Sequence, residues 1–143
     1  MTVANILASK GRAVFTTEPE TPMSKVVDQL AQKRVGAIVV TDKAGKICGI
    51  VSERDIVREL ARKGPEVLSR PVSVCMTTKV VTCSEKDTVD DVMAVMTANR
   101  FRHLPVEQGG RLSGIISIGD VVKRKIERAE QDAAELRNYI ASA

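Results

Sequence analysis

The sequence predicts an α/β (α+β) fold: two pseudo-symmetric β-α-β-β-α units packed sheet to sheet, plus an extended C-terminal helix. Three observations predict it. The first is an internal repeat. Val14, Thr16, Val26, Arg34 and Val40 match Val80, Thr82, Val92, Arg100 and Val106 at an offset of 66. After a one-residue gap, Gly49, Ile50, Ser52, Asp55 and Val57 match Gly114, Ile115, Ser117, Asp120 and Val122 at an offset of 65. A hairpin loop absorbs such a gap, and a core strand does not. The second is the switch, inside each copy, between short apolar runs and helix-spaced apolar residues. The third is size: 143 residues at 43% hydrophobic suit one compact domain with an aliphatic core. Two like units imply a pseudo-two-fold axis with matching clefts where they meet.

In the first copy, residues 13–17 form a short strand. Residues 18–22 break it, with Thr21 placed to cap a helix and Pro22 suited to its first position. The helix runs to about Arg34, with Met23, Val26, Val27 and Leu30 on one face. Residues 37–41 read as a strand buried on both sides. Asp42, Lys43, Ala44 and Gly45 turn the chain. Residues 46–52 return it, and a helix follows over about 53–63.

The second copy repeats this: strand 80–83, helix 88–99 with Val89, Val92, Met93 and Met96 inward, strand 103–106, a turn at Gln108-Gly109-Gly110, strand 112–117, and a helix from near Ile118. Pro105 argues for an edge strand or a strand end, because proline cannot donate to a ladder. Residues 3–10 resemble residues 72–79 at an offset of 69. Each stretch is expected to form a short helix or turn capping the unit it precedes. The chain then divides into a first repeat with its cap (1–64), a linker (65–71), a second repeat (72–126) and a helical extension (127–143).

The last helix continues over about residues 121–140. Ile126, Ala129, Ala133, Leu136 and Ile140 recur at spacings of three and four, opposite Arg, Glu, Gln and Asp. The stripe either packs back on its own chain or pairs with another subunit. The repeats already supply a full core, which favours pairing as a homodimer. Val57, Leu60, Val121 and Val122 are expected to add to that apolar surface.

Composition narrows the function classes. Aromatics are 2% with no Trp, which leaves no base-stacking platform for nucleic acid. Net charge is +4, with 18 acids among 22 bases. That is a mixed solvated surface with room for a phosphate-bearing ligand. Cys48, Cys75 and Cys83 are odd in number and contain no C-x-x-C. They argue against a disulfide framework and, with His103, against a metal site. No apolar run approaches the roughly 20 residues of a membrane span, and no signal-peptide pattern opens the chain. The expectation is a soluble, cytoplasmic protein with no membrane or nucleic-acid partner.

Two motifs carry chemistry. Ser52-Glu53-Arg54-Asp55 and Ser117-Ile118-Gly119-Asp120 sit at matched helix starts. The serines fit as N-caps. The acids fit that role less well, since the reciprocal partner is usually the longer Glu or Gln. A short carboxylate there can accept two hydrogen bonds from vicinal hydroxyls, as in a ribose, beside a helix N-terminus suited to phosphate. The second motif is Arg100, Arg102 and His103, just before Leu104 and Pro105; the first copy has Arg34-Val35-Gly36-Ala37 instead. One copy offers a phosphate grip. The other offers small residues over which an adenine can reach the backbone. A solvated basic patch is the plainer explanation. Thr16 and Thr82, at matched strand positions, offer hydroxyls.

The duplicated set in register, from about Val3 to Ile126, resembles a pair of CBS domains, the module named after cystathionine β-synthase, in its stand-alone bacterial form. Residues 49–55, 100–106 and 114–120 resemble the family's strand and Ser/Thr-x-x-Asp signatures. The resemblance implies regulatory, non-catalytic binding of an adenosyl ligand, such as AMP, ADP, ATP, S-adenosylmethionine or NAD(H). It also implies a homodimer of four repeats and a regulated partner protein not identifiable from sequence. It assigns ribose to Asp55 and Asp120, and hydroxyl contacts to Ser52 and Ser117. Backbone and adenine contacts fall to Val35, Gly36 and Ala37, and to Arg102, His103 and Leu104. Glu53 and Arg54 stand where the second copy has Ile118 and Gly119, a difference expected to reshape or partly block the first cleft.

Other classes fit less well. Ser117, His103 and Asp120 make no plausible triad, because Ser117 and Asp120 share one helix start. No P-loop or nucleophile elbow occurs. A dimerisation scaffold without a nucleotide is the alternative that stays open.

Overall fold

The computed structural model describes residues 1–142. The elements are α1 (Val3–Lys10), β1 (Thr16–Thr17), α2 (Met23–Lys33), β2 (Ala37–Thr41), β3 (Ile47–Ser52), α3 (Glu53–Lys63), β4 (Cys83–Ser84), α4 (Val89–Asn99), β5 (His103–Gln108), β6 (Arg111–Ser117) and α5 (Ile118–Ser142). Two 3-10 turns, Pro65–Ser69 and Val72–Val74, join the halves. The strands form two sheets of equal plan, β1-β2-β3 and β4-β5-β6. In each, the short strand runs parallel to the middle one and the third pairs antiparallel. Both hairpins carry an irregularity at the same place, between Val40 and Thr41 and between Val106 and Glu107.

All five residues of β2 are buried. Ile38 and Val40 lie in a core with Met23, Val26, Leu30 and Ile56 from α2 and α3. Ala37 and Val39, on the opposite face of the pleat, are buried as well, so the second unit covers that face. Leu104 and Val106 take the equivalent places in a core with Val89, Val92, Met96 and Val121. β5 is a middle strand despite Pro105, against the edge expectation. Its pairing with β4 starts only at Val106, so at Pro105 the strand has a neighbour on one side only.

The capping stretches are exchanged between units, which overturns the expectation that each caps its own. Val3, Ile6 and Leu7 of α1 lie in the core of the second repeat. Val67 and Val72 lie in that of the first, with Cys75 and Met76 packed against it. The backbone agrees: Val3 N donates to Asp87 O at 2.9 Å, and Val72 N to Thr21 O at 2.8 Å. This exchange explains three further differences. Thr21 and Pro22 are held extended by an antiparallel bridge between Pro22 and Pro71, so Pro22 is the N-cap of α2 and Thr21 is not. β1 and β4 are two residues each, shorter than expected, because the chain ahead of each leaves its own sheet for the other unit. The matched stretches also differ in form. Ala4, Leu7 and Ala8 favour a helix, which Thr2 and Asn5 cap. The equivalent run carries β-branched Val74, Thr77 and Thr78, which disfavour one. It makes a single turn and then an antiparallel bridge from Thr77 to Ile50.

Beyond the second repeat, α5 extends as 25 residues in all, about 37 Å at 1.5 Å per residue. Ile126, Leu136 and Ile140 are exposed, so the stripe does not pack back on its own chain. Val121, expected on that surface, is fully buried in the second core, while Val57 and Val122 are exposed. Leu60 is half-buried against the first core.

Candidate functional site

Both Ser-x-x-Asp motifs form the reciprocal cap, so the short Asp serves the box after all. Asp55 N donates to Ser52 Oγ at 3.3 Å, and Ser52 N to Asp55 Oδ2 at 2.9 Å. Asp120 N donates to Ser117 Oγ at 3.2 Å, and Ser117 N to Asp120 Oδ2 at 2.8 Å. Each helix start is tied to the opening residues of its sheet: Glu53 N donates to Gly36 O at 3.0 Å, and Ile118 N to Arg102 O at 2.8 Å. The carboxylates therefore sit beside the pseudo-two-fold axis, where β2 and β5 approach. There a Cβ at Gly36 would lie 3.1 Å from Cε1 of His103. Glycine at 36 makes room for that imidazole.

The two carboxylates then part company. Asp55 opens into a cavity of about 870 Å³, within the usual range for small-molecule sites. The first repeat contributes Gly36, Ala37, Ser52, Glu53 and Arg54 to its lining; the second contributes Arg100, Arg102, His103 and Pro105. Glu53 and Arg54 thus form wall rather than plug. Among the described residues, Arg54, Lys79, Arg100 and Arg102 of this lining form no ion pair. Arg58 comes only within 4.0 Å of Asp55 Oδ1. Arg100 caps α4 in the left-handed region, φ 57°, where glycine is the easier residue.

Ser117, Gly119 and Asp120 do not line this cavity. Asp120 is bonded by Lys10, whose Nζ stands 2.7 Å from Oδ2 and 2.9 Å from Ile115 O. Burial pushes the Asp120 carboxyl up, but the bonds from Lys10 and from Ser117 N–H outweigh it and hold it below the usual range. His103 stands between the clefts. Burial and then the Lys10 charge push its imidazole down, partly opposed by Asp120 and Glu53.

The remaining sequence-predicted residues lie elsewhere. Leu104 is fully buried in the second core, and Val35 packs against the first. Thr16 is exposed on β1. Thr82 lies one residue ahead of β4, and its hydroxyl donates to Glu107 Oε2 at 3.3 Å. Sequence reasoning missed Lys79, Phe101 and Lys10. The offset-69 repeat ends on Lys10 and Lys79, and that match was the available signal. Among the described residues, no three His, Cys, Asp or Glu side chains converge as a metal site. No helix there is long and apolar enough to cross a membrane.

The CBS domain family profile matches twice, over residues 6–62 and 72–127. The chain belongs to the CBS-domain family. A mitochondrial CBS-domain protein of Arabidopsis thaliana is 32% identical over 97% of this chain and 71% of its own length. The crystal structure of a CBS-domain protein of Agrobacterium tumefaciens is 46% identical, with a TM-score of 0.86 over 87% of this chain and 99% of that one. A CBS-domain protein of Pyrobaculum aerophilum, solved in complex with AMP, is 27% identical, with a TM-score of 0.75 over 84% of this chain and 89% of that one. This tandem CBS-domain protein therefore shares its fold with a relative solved with an adenine nucleotide bound.

Proposed function

We propose that this CBS pair binds a phosphorylated adenosyl ligand in the Asp55 cleft and, without catalysing a reaction, signals its occupancy to a partner protein. The observation that carries this reading is the pairing, in one cavity, of a carboxylate at a helix start with four cations that form no ion pair among the described residues. Asp55 suits the ribose hydroxyls. Ala37 and Gly36 border the space for a flat base. Arg54, Lys79, Arg100 and Arg102 suit the phosphates. A cation-lined cleft favours AMP, ADP, ATP or NAD(H) over the positively charged S-adenosylmethionine. The AMP complex of the Pyrobaculum relative supports the ligand class. Calorimetry with these five ligands tests it: the phosphorylated ones bind, and heat from none of them removes the reading.

The second reading is an interaction scaffold, and the exposed stripe of α5 favours it. The two readings are compatible if the stripe pairs two chains as a homodimer, which buries it self-complementarily. Light scattering should then report twice the 15.5 kDa chain mass. Truncation after Lys125 should weaken the association, and a monomer at high micromolar concentration rules the dimer out.

A further inference from the structure

We infer that Lys10 sets the ligand count of this chain: it occupies the carboxylate of the second cleft and leaves one nucleotide per chain, in the Asp55 cleft. The inference rests on the reading above for what the clefts bind, and on the exchanged N-terminal helix for why they differ.

Lys10 is the last residue of α1. That helix is docked by Leu7, 1% exposed, against Gly114, where a Cβ would lie 2.7 Å from Leu7 Cδ2. The docking fixes the helix end beside β6. From there the ammonium meets both Asp120 Oδ2 and Ile115 O. Lys10 thus puts a charged donor on Asp120 Oδ2, one of the two oxygens to which the hydroxyls of a ribose would donate. A ligand entering this cleft must first displace it, and its apparent affinity falls by the fraction of chains in which Lys10 is away.

Lys79 is the counterpart of Lys10 in the repeat, but the backbone puts it in another setting. The stretch before it is not an α-helix and carries an isolated antiparallel bridge: Ile50 N donates to Thr77 O at 3.0 Å, and Thr77 N to Ile50 O at 2.9 Å. Lys79 therefore lies two residues past that bridge, on the cavity wall, and forms no ion pair among the described residues. An α-helix that ends on lysine closes one cleft, and a turn-and-bridge segment that ends on lysine lines the other.

Adenosine is the decisive probe, since it has no phosphate for either lysine to hold, with AMP beside it. Calorimetry on the full chain should give one site for the wild type and for Lys10→Arg. Lys10→Ala should give two, the added site within about tenfold of the first. Two sites in the wild type overturn the inference, and so does one site in a Lys10→Ala chain with unchanged melting temperature. If Lys10→Ala fails to fold, Asp120→Asn in the wild type reads the same point. It should leave affinity within twofold, while Asp55→Asn weakens it at least tenfold, and equal losses overturn the inference. If the wild type binds no adenosyl ligand, the functional reading fails on its own. The latch is then read from the Asp120 carboxyl by NMR. Lys10→Arg leaves the titration midpoint in place and Lys10→Ala raises it; an unmoved midpoint in a folded Lys10→Ala chain overturns the latch.

Discussion

The two Ser-x-x-Asp clefts are alike in backbone and unlike in charge. Both have a capped helix start tied by one hydrogen bond to the sheet. In one the carboxylate faces a cavity with unpaired cations; in the other it is bonded to a cation from the chain itself. A duplicated fold therefore fixes where two sites stand but not whether both are available. On the inference drawn above, what decides that is one residue in a segment outside each repeat's sheet, and whether that segment is an α-helix.

The largest expected break of this comparison is in binding. Asp55→Ala should weaken AMP by about 2 kcal/mol, the scale of hydrogen bonds to a charged group, and Asp120→Ala should change it by less than about 0.5 kcal/mol. Equal losses in calorimetry make the clefts equivalent. Next is packing under the two exchanged segments. A Cβ at Gly49 would meet Met76 Sδ at 2.7 Å and the backbone oxygen of Thr77 at 2.9 Å; one at Gly114 would meet only the Leu7 side chain. Backbone cannot step aside as a side chain end can. Gly49→Ala should cost about 1.5–2 kcal/mol and Gly114→Ala nearer 1 kcal/mol, read by denaturant unfolding.

A smaller effect sharpens the phosphate assignment. Arg102→Ala with His103→Ala should weaken AMP about tenfold more than adenosine; an equal loss assigns these residues to the base or to folding. The smallest is a pH limb. The His103 imidazole is held below its ordinary 6.5 by burial and by Lys10, so the unfolded chain takes up the proton first as pH falls. The resulting stability is complete above about pH 6.5 and is lost as pH drops below it toward the folded value. His103→Asn should flatten that limb in thermal melts between pH 7 and 5.

Much of this was legible in the sequence, for local reasons. Ser52 and Gly64 bracket α3 at the expected bounds, because cap and stop signals act within a turn. The aliphatic run of β2 marked a strand covered on both faces. The cavity gathers Gly36, Ala37, Ser52, Asp55, Arg102 and His103, all named from the repeat. What stayed hidden depends on contacts far apart in the chain. Nothing near Val3 says that it packs beside Val89 rather than Val26. Nothing near Asp120 says that Lys10 reaches it, and the short β1 and β4 follow from the same exchange. Nothing near Thr82 says that its hydroxyl meets Glu107 across the sheet.

The exchanged helix also bears on how the chain is made. Lys10 and Ile115 are separated by 105 residues, and α1 completes a core whose other pieces all lie in the second half. At the ribosome, α1 emerges well ahead of β6 and has no seat until β6 is out. At about 5–20 residues per second that delay is roughly 5–20 s, during which Val3, Ile6 and Leu7 are exposed and the first repeat cannot use them. The first core closes earlier, once Val72 has followed α3. Synthesis thus finishes the first core before the one that α1 completes, and Val3, Ile6 and Leu7 are made long before they are buried.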